Sequence, residues 1–288
     1  MSNQITEAFV QQYADNFIHL AQQAKSRFED KVTIEPSIVG MSKSINRLGQ
    51  RTAQRRLTRH GDTPLNEQPH STRFVDLFDW EDGDMVDDLD KIRMLAEPTS
   101  EYVQAMIAGL NRAKDDVIIS ALGGNARSST GNVVLPASQK ILVGGTGLTK
   151  AKLVSARKIF RANEADDQAG EQLYLAYSAT QLENLLNDTT ITNTEYNTVL
   201  SMMSGTFPQG AQLFGFTPVP SERLPKASTT RTCYAWAKSG VTLGLGKSIQ
   251  TNVGQDPGKG FNVRIYAKMA IGAVRVEEEK VVEVQCTE

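Results

Sequence analysis

The sequence is poor in the residues that organise small-molecule chemistry. It has two cysteines, Cys233 and Cys286, and three histidines, His19, His60 and His70. The cysteines lack CxxC spacing and the histidines form no pair at helical spacing, which disfavours a disulfide framework and a structural zinc site. Isolated cysteines fit a reducing compartment. There is no GxSxG elbow and no HExxH helix, and neither cysteine has a base near it in sequence, so no catalytic residue, cofactor or metal is expected. No run of 18 apolar residues occurs, and the opening MSNQITEAFVQQYADNF carries acids and amides where a signal peptide is basic and then apolar. The expectation is a soluble chain made in the cytosol. No sign of charge dominates: 31 Lys and Arg stand against 33 Asp and Glu, for a net −2, and only 22% of residues are charged. That balance excludes a polycationic nucleic-acid clamp and a charge-driven disordered chain.

What is present is enough chain, 288 residues, for two compact units at roughly 150 residues each, or one elaborated domain. Phe9, Val10, Tyr13, Phe17, Ile18 and Leu20 recur three or four apart, an amphipathic helix ending by about Lys25. Aliphatic residues then thin out and the charges separate. Lys43, Arg47, Arg51, Arg55, Arg56 and Arg59 follow one another with no acid among them. Asp76, Asp79, Glu81, Asp82, Asp84, Asp87, Asp88 and Asp90 follow with no Lys or Arg. Phe74, Val75, Leu77, Phe78 and Trp80 interleave with the first of these acids, as in a half-buried strand.

This pattern predicts a long two-stranded arm with strands near 44–59 and 71–80 around a Gly61-Asp62-Thr63-Pro64 turn. A lone two-stranded hairpin is marginal in water, so it needs another surface: the body of the chain or a neighbouring copy. The alternative is a solvated charged loop followed by an acidic helix cap.

Pro98-Thr99-Ser100-Glu101 opens the clearest helix, with Pro and a capping hydroxyl at the start and an acid in the first turn. Tyr102, Val103, Met106, Ile107, Leu110, Val117, Ile118, Ala121 and Leu122 keep helical spacing until Gly123-Gly124 stops it. About 23 residues at 1.5 Å each span roughly 35 Å, enough to cross a domain. Beyond a Gly/Ser-rich connection the chain alternates: a short strand at 140–143, helices at 148–162 and 178–186, a strand at 172–177, and a helix opened by Thr192 and Glu195 that runs through Met203. Strands follow at 213–219, 232–238, 241–245, 261–269, 272–276 and 280–286, with a hairpin expected around Ser239-Gly240.

Three motifs carry little chemistry. Gly244-Leu245-Gly246-Lys247-Ser248 ends like a phosphate loop, but position 241 is Val where the loop requires Gly, and no clear helix follows. A soluble α/β nucleotide-binding protein or enzyme using 240–248 is nonetheless the alternative from another class. Gly144-Gly145-Thr146-Gly147 reads as a turn, and the acids from Asp79 to Asp84 do not have the spacing of a calcium loop. The aromatics near the basic segment sit on the acidic strand, which repels phosphate and disfavours single-stranded nucleic acid.

The order of elements, an arm, a long two-stranded extension, one long helix from about residue 98, an α/β region and a return of strands, resembles the major capsid proteins of tailed double-stranded DNA bacteriophages. The stretches that carry the resemblance are PTSEYVQAMIAGLNRAKDDVIISALGG, GLTKAKLVSARKIF and GKGFNVRIYAKMAIGAVRVEEEKVVEVQC. It implies an α+β fold with an N-terminal arm (1–43), an extended β-hairpin loop (44–90), a peripheral domain (91–146 and 261–288) whose spine helix is 99–122, and an α/β axial domain (147–260). It implies self-assembly into hexamers and pentamers of an icosahedral head around double-stranded DNA bound without sequence specificity, with no membrane. It further implies a separate scaffolding protein, since about forty residues precede the loop, a portal protein, and assembly in the host bacterial cytoplasm. Some members weld the loop to a neighbour through a Lys–Asn isopeptide bond. No lysine lies between Lys43 and Lys91, so reinforcement by the arm or a cement or decoration protein is expected instead. The expected inter-subunit residues are the basic limb, Arg47, Arg51, Arg55, Arg56 and Arg59, the acids Asp76, Asp79, Asp82 and Asp84, and the aromatic anchors Phe74, Phe78 and Trp80.

Overall fold

The long helix forms where its signals place it. The computed structural model describes residues 22–55, 58–59, 65–86, 99–188, 199–201 and 212–288, in which α1 spans Thr99–Gly123. Ile118, Ile119 and Leu122 are buried on one side, each worth about 1.5–3 kcal/mol of apolar burial. The helix interior also carries a buried acid, Asp115, which accepts from Ser26 Oγ at 2.5 Å and from the backbone N–H of Arg27 at 3.1 Å. This carboxylate stands in for the acceptors that the turn at 26–28 lacks, and so ties that turn to the helix. Phe28 then stacks on Trp236 at 5.5 Å, and the Trp236 indole donates to the Lys31 carbonyl at 2.9 Å.

Among the described residues fourteen strands form three sheets. The first to be made by the chain are β1 (Thr33–Glu35), β2 (Ser42–Leu48), β3 (His70–Asp76), β4 (Phe78–Val86), β5 (Ala126–Ser128), β6 (Gly131–Val133) and β7 (Lys140–Ile141). After helix α2 (Lys150–Ala162) come β8 (Leu173–Tyr177), helix α3 (Ala179–Asn187), β9 (Thr217–Pro220), β10 (Lys226–Ala227), β11 (Thr230–Ala237), β12 (Val241–Asp256), β13 (Asn262–Arg275) and β14 (Val281–Thr287). One sheet runs β7-β14-β11-β8-β9, with β10 on β11; a second runs β1-β12-β13-β4; a third runs β2-β3-β5-β6. The main core lies around the first, where every residue of β8 is buried. Strands covered on both faces read as continuous apolar runs rather than alternating ones, and LYLAY is such a run.

The predicted arm exists in shortened form. Ser42 to Leu48 pairs antiparallel with Asp76 to His70, so the hairpin is real but its first strand stops at Leu48 rather than near Arg59. The predicted strand 71–80 is broken at Leu77, and β4 continues in a different sheet beside β13. The Gly61 turn, the N-terminal amphipathic helix and the start of the helix at Thr192 lie outside the described residues.

Three further expectations need correction. The strands flanking Ser239-Gly240 do not form a hairpin: β11 pairs with β14, β8 and β10, and β12 with β1 and β13. At Gly240 the chain passes between sheets, so close to residue 280 that a Cβ would lie 2.7 Å from Lys280 Cβ. The runs at 261–269 and 272–276 are one strand, which forms the true long hairpin with β12, turned by Gly260 at φ +66°. The last strand, β14, is a central strand between β7 and β11. Val281, Val282, Glu283 and Val284 are all buried, which a strand flanked on both edges allows. In α3 the expected capping box is also altered. Ser178 bonds the Gln181 side chain, and Glu222 accepts the Ala179 N–H at 2.6 Å.

The chain divides into two compact units. One comprises Met1–Lys25, Asp79–Ala113 and Ser248–Met269; the other comprises Ser26–Phe78, Lys114–Lys247 and Ala270–Glu288. In the first, Tyr266 lies between Arg264 and Lys268, 5.3 and 5.7 Å from its ring, and is hydrogen-bonded to Glu81. Arg112 donates to Gln22 Oε1 at 2.7 Å. In the second, the Gly144–Gly147 turn wraps a buried lysine: Lys152 donates to the carbonyls of Val143, Thr146 and Gln285 at 2.7–2.8 Å. Burial lowers its pKa, partly offset by the nearby thiols of Cys286 and Cys233.

Candidate inter-subunit surface

The hairpin of β2 and β3 ends in a tip that uses its polar groups on itself. Gly49 N–H donates to the Pro69 carbonyl at 2.9 Å, Arg51 to the Asn66 carbonyl at 3.2 Å, and Asn66 to the Thr52 carbonyl at 2.9 Å. All described residues from Leu48 to Arg59 are exposed, Arg51, Arg55 and Arg59 among them. Arg56 lies outside the described residues. The tip thus presents a basic limb in solvent.

Arg47 does not belong to that limb. It sits lower on the hairpin and reaches Glu278 at 3.2 Å and Glu279 at 4.0 Å. Two other expected contact residues are likewise engaged within the chain. Arg127 lies over the Phe74 ring at 4.7 Å and pairs with Asp76 at 2.8 Å. Both are satisfied at the hairpin root, where strand pairing brings β5 alongside β3.

Strand β4 carries the rest. Phe78 and Trp80 are 63% and 36% exposed, and Asp79, Asp82 and Asp84 are exposed beside them. Side chains alternate along a strand, so Phe78, Trp80, Asp82 and Asp84 share one face: a ring mostly in water, a second ring exposed over about a third of its surface, and two acids. Among the described residues no group of three metal-ligating side chains forms.

The residues that the sequence did not flag are Arg73, Arg275 and Glu278. Arg73 lies on the same strand face as Val75, where period two predicts an apolar residue, and a cation in that position was the available signal. Arg275, fully buried, donates to the carbonyls of Leu122, Gly124 and Val133 at 2.7–3.0 Å. Burial lowers its pKa, and Glu278 counteracts that.

The nucleotide alternative fails on geometry. Residues 241–256 are one strand followed by a single 3-10 turn at Pro257–Lys259 and not by an α-helix, and Gly244 and Gly246 serve close packing. A Cβ at Gly244 would lie 2.6 Å from Ile38 Cδ1 and Val75 Cγ1, and one at Gly246 would lie 2.6 Å from Leu77 Cδ1. Their backbone amides are part of a sheet, not a phosphate cradle.

Comparison with known proteins agrees with this architecture. A family model described as phage capsid protein matches residues 5–288, and the chain belongs to that family. No curated protein matches. Among solved structures the chain is similar to the capsid of cyanophage P-SCSP1u, at 17% identity and TM-score 0.69 over 98% of this chain and 94% of that one. It is similar to a chain of the cyanophage Pam1 capsid asymmetric unit, at 13% identity and TM-score 0.72 over 98% and 97%. A third likeness is to the capsid of Ralstonia phage GP4, at 9% identity and TM-score 0.72 over 97% and 95%. The fold is the α+β fold of tailed-phage major capsid proteins. The protein is a structural major capsid protein, a component of the virion shell and not an enzyme. Among the described residues no helix is long and apolar enough to cross a membrane.

Proposed function

We propose that copies of this chain form the hexamers and pentamers of an icosahedral head enclosing double-stranded DNA, and that neighbours are registered by the basic tip of one subunit lying along the acidic, aromatic face of strand β4 on the next. The observation that carries this reading is the exposure of both halves at once: Arg51, Arg55 and Arg59 on the tip, Phe78 and Trp80 with Asp82 and Asp84 on the strand. Closed rings use such head-to-tail contacts, in which one patch meets a different patch on the next copy. The charges set orientation and register, and the rings supply the buried anchors.

The near-neutral chain suits a wall around packed DNA that makes no sequence-specific contact, since a strongly basic lining would hold the duplex by phosphate neutralisation. A separate scaffolding protein, a portal protein and assembly in the host bacterial cytoplasm belong to the same reading. So does non-covalent reinforcement by the arm or by a cement or decoration protein, because the loop has no lysine. Two experiments test it. Replacing Arg51, Arg55 and Arg59 together with Glu is expected to cut shell yield sharply; unchanged yield and salt sensitivity refute the pairing. Denaturing gels of mature particles are expected to show monomer; a ladder of covalent oligomers refutes non-covalent reinforcement.

A further inference from the structure

The hairpin of β2 and β3 is held by little apolar burial. No residue of β2 is buried, and in β3 only Arg73 and Val75 are. Val75 joins a small cluster with Ile38, Ala126, Val274 and Val276 that is separate from the main core. What sits at the root instead is charge. Glu278 accepts from Arg73 at 2.9 Å through Oε1 and from Arg47 at 3.2 Å through Oε2, and Arg275 Nε lies 3.9 Å from Oε1. Three guanidinium groups therefore converge on one buried carboxylate. Among the described residues the other acid at these guanidinium groups is Glu279, half exposed and 4.0 Å from Arg47. Arg73 Nε and Arg275 Nε are buried without a hydrogen-bond partner, so the cluster is short of acceptors and carries surplus positive charge.

We propose that Glu278 is the positioning residue that fixes the direction of the extended hairpin. The three cations differ in freedom. Arg275 is bolted to the end of α1 and to β6 by three backbone carbonyls. Arg73 and Arg47 ride on the hairpin, one on each strand. The Glu278 carboxylate draws the hairpin onto the fixed Arg275. With the charge removed, two nearly solvent-free guanidinium groups, Arg73 and Arg275, face each other uncompensated. Arg275 cannot move, so the hairpin does. One carboxylate thereby couples the aim of the basic tip to the end of the long helix and to the turn before β14.

The test is a distance measurement on the purified chain. Spin labels at Ala53→Cys and Ser155→Cys, both exposed, report the tip against α2, while Cys233 and Cys286 are buried. The expected result is one narrow distribution with Glu278, a clearly broader or shifted one in Glu278→Gln, and a return to a narrow one in Glu278→Gln/Arg73→Gln, where the uncompensated cation is also removed. General loosening of the core would not be reversed by a second substitution. An unchanged distribution in Glu278→Gln, or a broadening that Arg73→Gln does not reverse, overturns the proposal. The consequence for assembly rests on the shell reading: Glu278→Gln is expected to give particles of mixed size. If the parent chain forms no shells, that reading fails while the distance result stands or falls alone.

Discussion

Lys152 donates from its ammonium to the Gln285 carbonyl at 2.8 Å, and the same nitrogen serves Val143 and Thr146. One buried side chain thus closes the glycine turn before α2 against the final strand. Each carbonyl left without a donor costs about 1–3 kcal/mol when buried. Lys152→Met is therefore expected to lower stability by about 3 kcal/mol in a denaturant titration; a loss under about 0.5 kcal/mol would show that water replaces the ammonium freely.

The hairpin root passes directly over β13. A Cβ at Gly272 would lie 1.8 Å from the Asp76 carbonyl oxygen, whereas one at Gly254 would meet nothing nearer than 3.7 Å. Gly272→Ala must displace backbone and is expected to abolish soluble folding or cost about 3 kcal/mol or more. Gly254→Ala is expected to stay within about 1 kcal/mol of the parent. Equal melting temperatures for the two variants would refute the close crossing.

Acid sensitivity follows from Glu288. Its carboxylate accepts from Arg231 Nε at 2.6 Å and from Lys226 at 3.1 Å, and the Arg231 hydrogen bond is the largest influence holding its pKa down, to about 2. A carboxylate depressed on folding adds stability that is present above its ordinary value and is lost as pH falls through the folded one. Stability should decline from about pH 4.5 towards pH 2, and Glu288→Gln should flatten that decline. An identical acid profile in the variant would contradict the assignment.

Both thiols should be silent until the protein opens. The hydrogen bond to Cys286 and burial push the Cys233 thiol well up, so it does not ionise near neutral pH. Cys286 is shifted the other way, chiefly by the same hydrogen bond, but is itself fully buried. Reaction with an aromatic disulfide reagent is expected to be negligible in the native chain and to release two equivalents on unfolding. Rapid native reaction at either sulfur would show that β11 and β14 part locally.

Much of this fold was legible because its strongest elements obey local rules. Thr99–Gly123 begins at a Pro-Thr-Ser signal and stops at paired glycines, and Lys150–Ala162 follows its apolar spacing. The arm was read from charge separation, and its strands do pair, over seven residues each. What stayed hidden was non-local. The separation of β11 from β12 depends on a close approach at residue 280, and the length of β12 could not be read from a polar stretch, TNVGQD, that alternates weakly. At the candidate surface, Phe78 and Trp80 are exposed, while Arg47, Phe74 and Asp76 find partners on segments 51 to 232 residues away that no sequence spacing reveals.

An image reconstruction of assembled particles at side-chain detail decides the account. The tip at 49–69 of one subunit is expected to lie across the β4 face of its neighbour, with Phe78 and Trp80 covered and Arg51, Arg55 or Arg59 within ion-pair distance of Asp79, Asp82 or Asp84. A shell in which that tip folds back on its own subunit, leaving both rings in solvent, would contradict it.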